Sequence, residues 1–508
     1  WIEKAGGGAE LPILTASGAE AAAADNRFSI YVGESAWTGE QPGPPPKASG
    51  GFHIVSVPGG VWLRGEVAPS SETGLDFPTD RGLNHAVYRF LESALGFRFY
   101  FDLQNDFSRV DLNTGPAAAF EDFGVVFPED VRLPTPDAID IRDHPAFPYR
   151  STPGTYAFSF IHRQGNAHFL RQGHADAGWS NYYKNSHPEY FLQKKDGSRD
   201  FRYLDYSNPD VIDQRMENLI RFYDEGEKGG YPGKTPSPHY IPVSPADNLA
   251  KNYAPRAEAI REKHGNPAVE GDYAGPKAWG GQSELYFRHI AAFAKRVKER
   301  WPEKKVVTLA YQGFTVPPDI ELPDNVVIIL ALLSPTHLYK EPEARALIDR
   351  LITEWSAKLG GDRERLYLWD YPCFPGFYTA APILYPRQKQ AFLQRYRDRI
   401  GGEYLNSRGQ TPQEAHWFLD YWLRLLWNPR LDFDAYLEDY ARNFYGPAAE
   451  PMERFFRLLV NRYENTEWSV RALIYDAGIY GGLYGETYTP EVLERLRGLF
   501  QEAMVAVS

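Results

Sequence analysis

The 508-residue sequence has one cysteine, Cys373, so no disulfide can close within it. That scarcity is neutral on compartment, because many bacterial secreted enzymes lack disulfides. Positive charge is also in short supply. The net charge is −12 and the pI about 5.6, and no basic block interrupts the chain. Nucleic acid is therefore excluded as a partner. No apolar run approaches the roughly 20 residues of a membrane span. The 12 histidines show no HExxH-like spacing, so no zinc site is expected, and no other cofactor. Solenoid-period repeats and low-complexity tracts are missing as well. The chain opens on Trp1 rather than Met. A cleaved leader and a periplasmic or secreted location are the expectation, with the cytoplasm as the alternative.

What the sequence has in excess is aromatic rings, 15% of all residues. Flat rings stack on sugar faces, which directs attention to carbohydrate; filling a core is their plainer use. A chain of this length is too long for one ordinary core, so two or three domains are expected.

Residues 1–135 read as an α/β domain. Strands are expected at 27–32, 52–57 and 61–66, the last two joined by a hairpin across Pro58-Gly59-Gly60. A helix from Leu83 to Leu95 stops at Gly96, and a strand returns at 97–100. A proline-punctuated linker follows at 134–148. Over residues 136–410, short apolar runs end in an acid or an aromatic: 239–248, 306–312, 325–333, 366–371 and 400–406. Helix-like stretches separate them. This is the pattern of a (β/α)8 TIM-type barrel, with its working groups at the strand C-termini. The early barrel strands are expected at 149–152, 166–170 and 203–206. Residues 411–508 become a helical region, at 417–427, 433–444, 452–463 and 490–505. It would pack on the barrel or form a homodimer face.

Glycoside hydrolysis usually needs two carboxyl groups across the scissile bond. Three acids sit at predicted strand ends: Asp247, Asp370 and Glu403. Asp247, followed by Asn248, could instead cap a helix. Asp370 lies between aromatics that could raise its pKa or stack on a sugar, or it could pair with Arg365 or Arg395. Glu403 follows Gly401-Gly402, which lets backbone approach a ligand closely; its plainer role is a partner for Arg408. Glu284 fits the first turn of a helix better than a site. Substrate-binding candidates are Tyr311 and His337 at strand ends, Tyr378, Asn248, and the aromatic segment 174–190 with Trp179, Tyr183 and His187. That segment would build a sugar pocket on the rim, or pack on its own rings. An acidic sugar would need a cation, for which Arg150, Arg163, Lys184 and Arg202 are candidates.

Several stretches resemble a bacterial family of uncharacterised domains. They include Gly6-Gly7-Gly8-Ala9-Glu10-Leu11, Gly82-Leu83-Asn84-His85-Ala86, Leu95-Gly96-Phe97-Arg98-Phe99-Tyr100 and His187-Pro188-Glu189-Tyr190-Phe191. Val243-Ser244-Pro245-Ala246-Asp247, Leu425-Leu426-Trp427-Asn428-Pro429 and Asn443-Phe444-Tyr445-Gly446-Pro447 continue the likeness. Members of that family join an α-glucuronidase-like N-terminal domain to a glycosidase-type barrel. The resemblance implies a glycoside hydrolase, probing an oligosaccharide or polysaccharide from its non-reducing end. It implies Asp247 as the proton donor and Asp370 or Glu403 as the base. A non-catalytic glycan-binding protein that keeps the barrel is the alternative, since fold does not imply function. Two departures matter. The Cys-x-x-Cys pair common in the family is replaced here by Lys251-Asn252-Tyr253-Ala254. Asn248 stands where substrate-assisted hexosaminidases carry the second acid of an adjacent Asp-Glu pair.

Overall fold

The computed structural model describes residues 28–33, 43–65, 81–100, 125–126, 139–152, 163, 165–166, 170, 173–227, 229–265, 281–332, 340–371, 383–406, 412–467 and 482–508. His337, Tyr378 and Cys373 lie outside them.

The N-terminal part contains β1 (Ser29–Val32), β2 (Phe52–Val57), β3 (Gly60–Gly65), α1 (Gly82–Ala94), β4 (Arg98–Phe99), β5 (Val125–Val126) and β6 (Asp140–Asp143). One sheet runs β1-β3-β2-β6, with β1 parallel to β3 and the other pairs antiparallel. The hairpin turn falls at Pro58-Gly59, as its Pro-Gly signal predicts. Gly96, at φ +80°, lets the chain leave α1, and Phe97 N–H caps the Leu91 carbonyl at 3.0 Å. Asp140–Asp143, expected past the domain boundary, completes this N-terminal sheet.

Next come β7 (Tyr149–Ser151), β8 (Gly165–Asn166), α2 (Trp179–Tyr183), β9 (Phe191–Gln193), β10 (Arg199–Leu204), α3 (Pro209–Tyr223), β11 (Tyr240–Val243), α4 (Pro255–His264), α5 (Ser283–Arg300), β12 (Lys305–Ala310), β13 (Val326–Ala331), α6 (Pro342–Lys358), β14 (Leu366–Asp370), α7 (Pro386–Tyr396) and β15 (Gly402–Leu405). The large sheet runs β11-β12-β13-β14-β15-β7-β8; all its pairs are parallel except β7 with β8. It curls: the Tyr149 and Tyr367 rings meet at 5.3 Å although β15 lies between their strands. Gly402, at φ +138°, makes the β15–β7 seam possible, since a Cβ there would sit 1.8 Å from the Tyr149 carbonyl oxygen.

This is a half-barrel of parallel strands with helices on its outer face. Among the described residues no pairing joins β11 to β8, so a closed eight-stranded barrel is not seen. Two expected strands differ. The one at 166–170 is represented by β8, which runs antiparallel to β7. The one at 203–206 overlaps β10, which pairs with β9 instead of joining the large sheet. Their Asp196-Gly197 turn has Gly197 at φ +83°, and Ser198 N–H bonds the Asp196 carboxylate at 3.0 Å.

The chain ends in α8 (Pro412–Trp427), α9 (Phe433–Tyr445), α10 (Ala449–Asn465) and α11 (Pro490–Ala506). The buried face of α8, Trp417, Phe418, Tyr421, Trp422 and Leu425, follows the helical period and joins the core of the large sheet. Its last residue, Trp427, reaches the N-terminal core instead. No described helix is long and apolar enough to cross a membrane.

Candidate active site

Strand parity decides which side chains face the concave side of the sheet. Successive residues alternate faces, and partners in a parallel register share one. Leu309 pairs with Ile329, Ile329 with Tyr367, Ala331 with Trp369 and Trp369 with Tyr404. Tyr149 belongs to the same face, through its contact with Tyr367. The other face carries Thr308, Leu368, Asp370, Glu403 and Arg150. It meets the helices: Thr308 Oγ1 lies 2.6 Å from the Tyr286 hydroxyl of α5.

Asp370 and Glu403 thus stand behind the sheet. Lys389 Nζ of α7 donates to Asp370 Oδ2 at 2.9 Å and to Glu403 Oε1 at 2.6 Å, and all three side chains are 0% exposed. Trp422 Nε1 of α8 donates to Glu403 Oε2 at 2.9 Å, and Tyr371 N–H bonds Asp370 Oδ1 at 2.7 Å. Burial pushes the Glu403 carboxyl up; Lys389 opposes this and Asp370 adds to it. The predicted pairing of Asp370 with Arg365 or Arg395 is replaced by Lys389. Arg365 donates to the Val326, Leu359 and Pro323 carbonyls, and Arg395 pairs with Asp349. Arg150 is likewise behind the sheet. Its guanidinium donates to the Phe147 carbonyl at 2.7 Å and the Arg163 carbonyl at 2.7 Å, and lies over the Trp427 ring.

Asp247 is at the mouth. It follows β11, and its side chain is 56% exposed. It caps no helix, since α4 begins at Pro255. Tyr311, one residue past β12, donates from its hydroxyl to Asp247 Oδ1 at 2.9 Å. Burial and the adjacent Asp247 charge push the Tyr311 phenol up, so it stays protonated as a donor. His174 Nε2 lies 3.5 Å from Asp247 Oδ2. The surrounding loops are tied together. Tyr203 of β10 donates to the Asp247 and Asn248 carbonyls at 2.7 and 2.8 Å, and Asn248 N–H bonds Gln312 Oε1 at 3.0 Å. Three of the four non-glycine residues with positive φ among those described cluster here: His174 (+50°), Asn248 (+59°) and Gln312 (+44°). Such conformations cost about 1–3 kcal/mol each and persist where the surroundings enforce them.

The wall beside Asp247 is aromatic. Trp369 and Tyr404 rings lie 4.4 Å apart, and Tyr371 is the next ring along β14. The Trp369 benzo edge rests on Gly173, where a Cβ would come within 3.1 Å of it. Its indole N–H is buried with no hydrogen-bond partner among the described residues.

The segment 174–190 divides. His174 faces the site, whereas the rings further on pack on one another and on neighbouring elements. Trp179 is buried under the Arg215 guanidinium, which forms a two-pronged pair with Asp176 at 2.8 Å. Tyr183 bonds Asn218 of α3 at 2.7 Å, and His187 stacks on Tyr190 at 4.6 Å. Arg163 pairs with Glu92, Arg202 with Asp200, and Glu284 with Arg288. Of the predicted set, the structure brings together Asp247, Asn248 and Tyr311. Sequence reasoning offered the rings flanking Asp370, Trp369 and Tyr371, as sugar-stacking groups, but missed His174, Gln312 and Tyr404. Period-2 spacing in Tyr367-Leu368-Trp369-Asp370-Tyr371 could have shown that the rings and the acid face opposite ways.

No curated protein matches the sequence. Among solved structures, the chain is similar to a β-N-acetylhexosaminidase from Bacteroides fragilis NCTC 9343, at 11% identity over 85% of this chain and 84% of that one, TM-score 0.39. It is similar to a family 89 glycoside hydrolase from Clostridium perfringens in complex with PUGNAc, at 10% identity, 89% and 51% coverage and TM-score 0.34. A GH138 enzyme targeting pectin rhamnogalacturonan II is a third, at 9% identity, 89% and 54% coverage and TM-score 0.34. The chain spans about half the length of the last two. Residues 121–457, well over half of the sequence, match the domain of unknown function DUF4838, and the chain belongs to that family.

Proposed function

We propose that this protein is a glycoside hydrolase acting on a complex or acidic glycan, from the non-reducing end, with Asp247 as proton donor. One observation carries the reading: of the three candidate acids, Asp247 alone opens to solvent at the mouth of the concave face. A carboxyl there, held by Tyr311 and facing an aromatic wall, can protonate the oxygen of a sugar stacked on Trp369. Asp370 and Glu403 take a structural role, holding α7 and α8 against the sheet through Lys389 and Trp422. The base that activates water is then neither of them.

The test is a screen of aryl glycosides and natural glycans, including uronides, hexosaminides, arabinosides and galactosides. Wild type is compared with Asp247→Asn. Release by wild type, with a loss of at least about 100-fold in the variant, supports the assignment. Equal release by both places the acid elsewhere. A second reading, a glycan-binding protein without turnover, is favoured because only one of the three candidate acids stands at the rim. It predicts no release by either protein, and equal glycan affinity in both.

A further inference from the structure

His174 contacts two oxygens of different kinds. Its Nδ1 lies 3.2 Å from the Pro245 carbonyl oxygen, and its Nε2 lies 3.5 Å from Asp247 Oδ2. A carbonyl oxygen only accepts, so Nδ1 carries a hydrogen. In a neutral ring, Nε2 then presents a lone pair to the Asp247 carboxylate, which also has only lone pairs to offer. One proton in the gap removes that repulsion, on Nε2 or on Oδ2. Asp247 Oδ1 cannot relieve it, since it already accepts from Tyr311 at 2.9 Å.

The ring is built into this orientation. Ala175 N–H bonds Ser244 Oγ at 3.0 Å and Asp176 N–H bonds the Ser244 carbonyl at 2.9 Å, which pins the segment to the end of β11. Asp176 is fixed in turn by buried Arg215 and by the Tyr206 hydroxyl at 2.8 Å. Together these contacts hold His174 in its left-handed backbone conformation, between Pro245 and Asp247.

We infer that His174 and Asp247 form a dyad that keeps one transferable proton between Nε2 and Oδ2, with His174 as the positioning residue that maintains Asp247 as a proton donor. The structural part stands by itself; its use in catalysis rests on the hydrolase reading. In that use the proton passes to the glycosidic oxygen as the bond from that oxygen to the anomeric carbon breaks. Water supplies hydroxide to the anomeric carbon, and its remaining proton reloads the dyad through solvent. His174 keeps its Nδ1 hydrogen throughout. Among the described residues, the charged and polar groups facing the pair include Tyr203, Tyr311, Tyr371 and, beside Gly173, Lys234.

The experiment is nitrogen NMR of the full chain with labelled histidine, the His174 signals being identified by their loss in His174→Asn. In wild type, Nδ1 should be protonated, and the Nε2 signal should move when Asp247 becomes Asn. A neutral ring with bare Nδ1, or an Nε2 signal indifferent to Asp247→Asn, overturns the dyad. This readout needs no turnover, so it survives failure of the hydrolase reading. If a substrate is found, His174→Asn should lower kcat by about 100-fold or more and move the alkaline limb of the kcat/KM profile. An unchanged limb and kcat overturn the catalytic use while leaving the proton pair intact.

Discussion

At Tyr311 a single hydroxyl holds one oxygen of Asp247, and the ring beneath it is half-buried against the core. A hydrogen bond to a charged group contributes about 1.5–3 kcal/mol. Tyr311→Phe keeps the ring and removes the donor. If the protein is a hydrolase, Tyr311→Phe should lower kcat/KM by about 10- to 100-fold, measured on a substrate identified in the glycan screen. The position of Asp247 just past β11 was legible in the sequence, because an acid that closes a short apolar run is a strand-end acid. Tyr311 was legible for the same reason. His174 and Gln312 were not. Their importance lies in left-handed backbone conformations and in contacts with partners distant in sequence, His174 with Asp247 and Gln312 with Asn248 64 positions away, neither of which a local pattern encodes.

At the scale of strands and helices, sequence patterns located the late parallel strands and the C-terminal helices, because each has a clear period. They did not give facing. A strand buried on both sides reads as continuous apolar sequence, and parity then fixes which residues share a face without saying which face is concave. Asp370 and Glu403 went to the helix side for that reason. Among the described residues, Lys389 is the cation that both of them share. Lys389→Met leaves two buried carboxyls without it and should destabilise the fold by about 3–5 kcal/mol, measured by urea unfolding. Glu403 adds a pH signature. Its folded-state pKa is raised above 4.5, so the folded state holds the proton more tightly than the unfolded chain does. The stability this contributes is fully present below about pH 4.5 and is lost as pH rises through the folded value. The urea midpoint of wild type should therefore fall relative to that of Glu403→Gln as pH rises over this range.

Across the whole molecule, the N-terminal part is coupled to the C-terminal helices by a few side-chain contacts. Glu92 of α1 accepts from Arg163 at 3.0 Å and from Arg424 of α8 at 3.1 Å. Burial pushes its carboxyl up, but the arginines outweigh this and hold it below its usual range. Trp427 Nε1 donates to Asp143 at 2.8 Å, and Arg98 grips Asp439 of α9 through two bonds. Composition predicted several domains and could not predict this link, which joins residues 332 positions apart. Glu92→Gln should cost about 3–5 kcal/mol and split one calorimetric transition into two, the first belonging to the N-terminal part. The two-sided sheet also sorts the carboxyls by what can reach them. A water-soluble carbodiimide with an amine quencher should tag Asp247 in the native protein. It should leave Asp370 and Glu403 unmodified until the chain is denatured, and peptide mass spectrometry would distinguish them. Those two acids then serve as internal reporters of whether any preparation, or any variant, still has its helices closed over the back of the sheet.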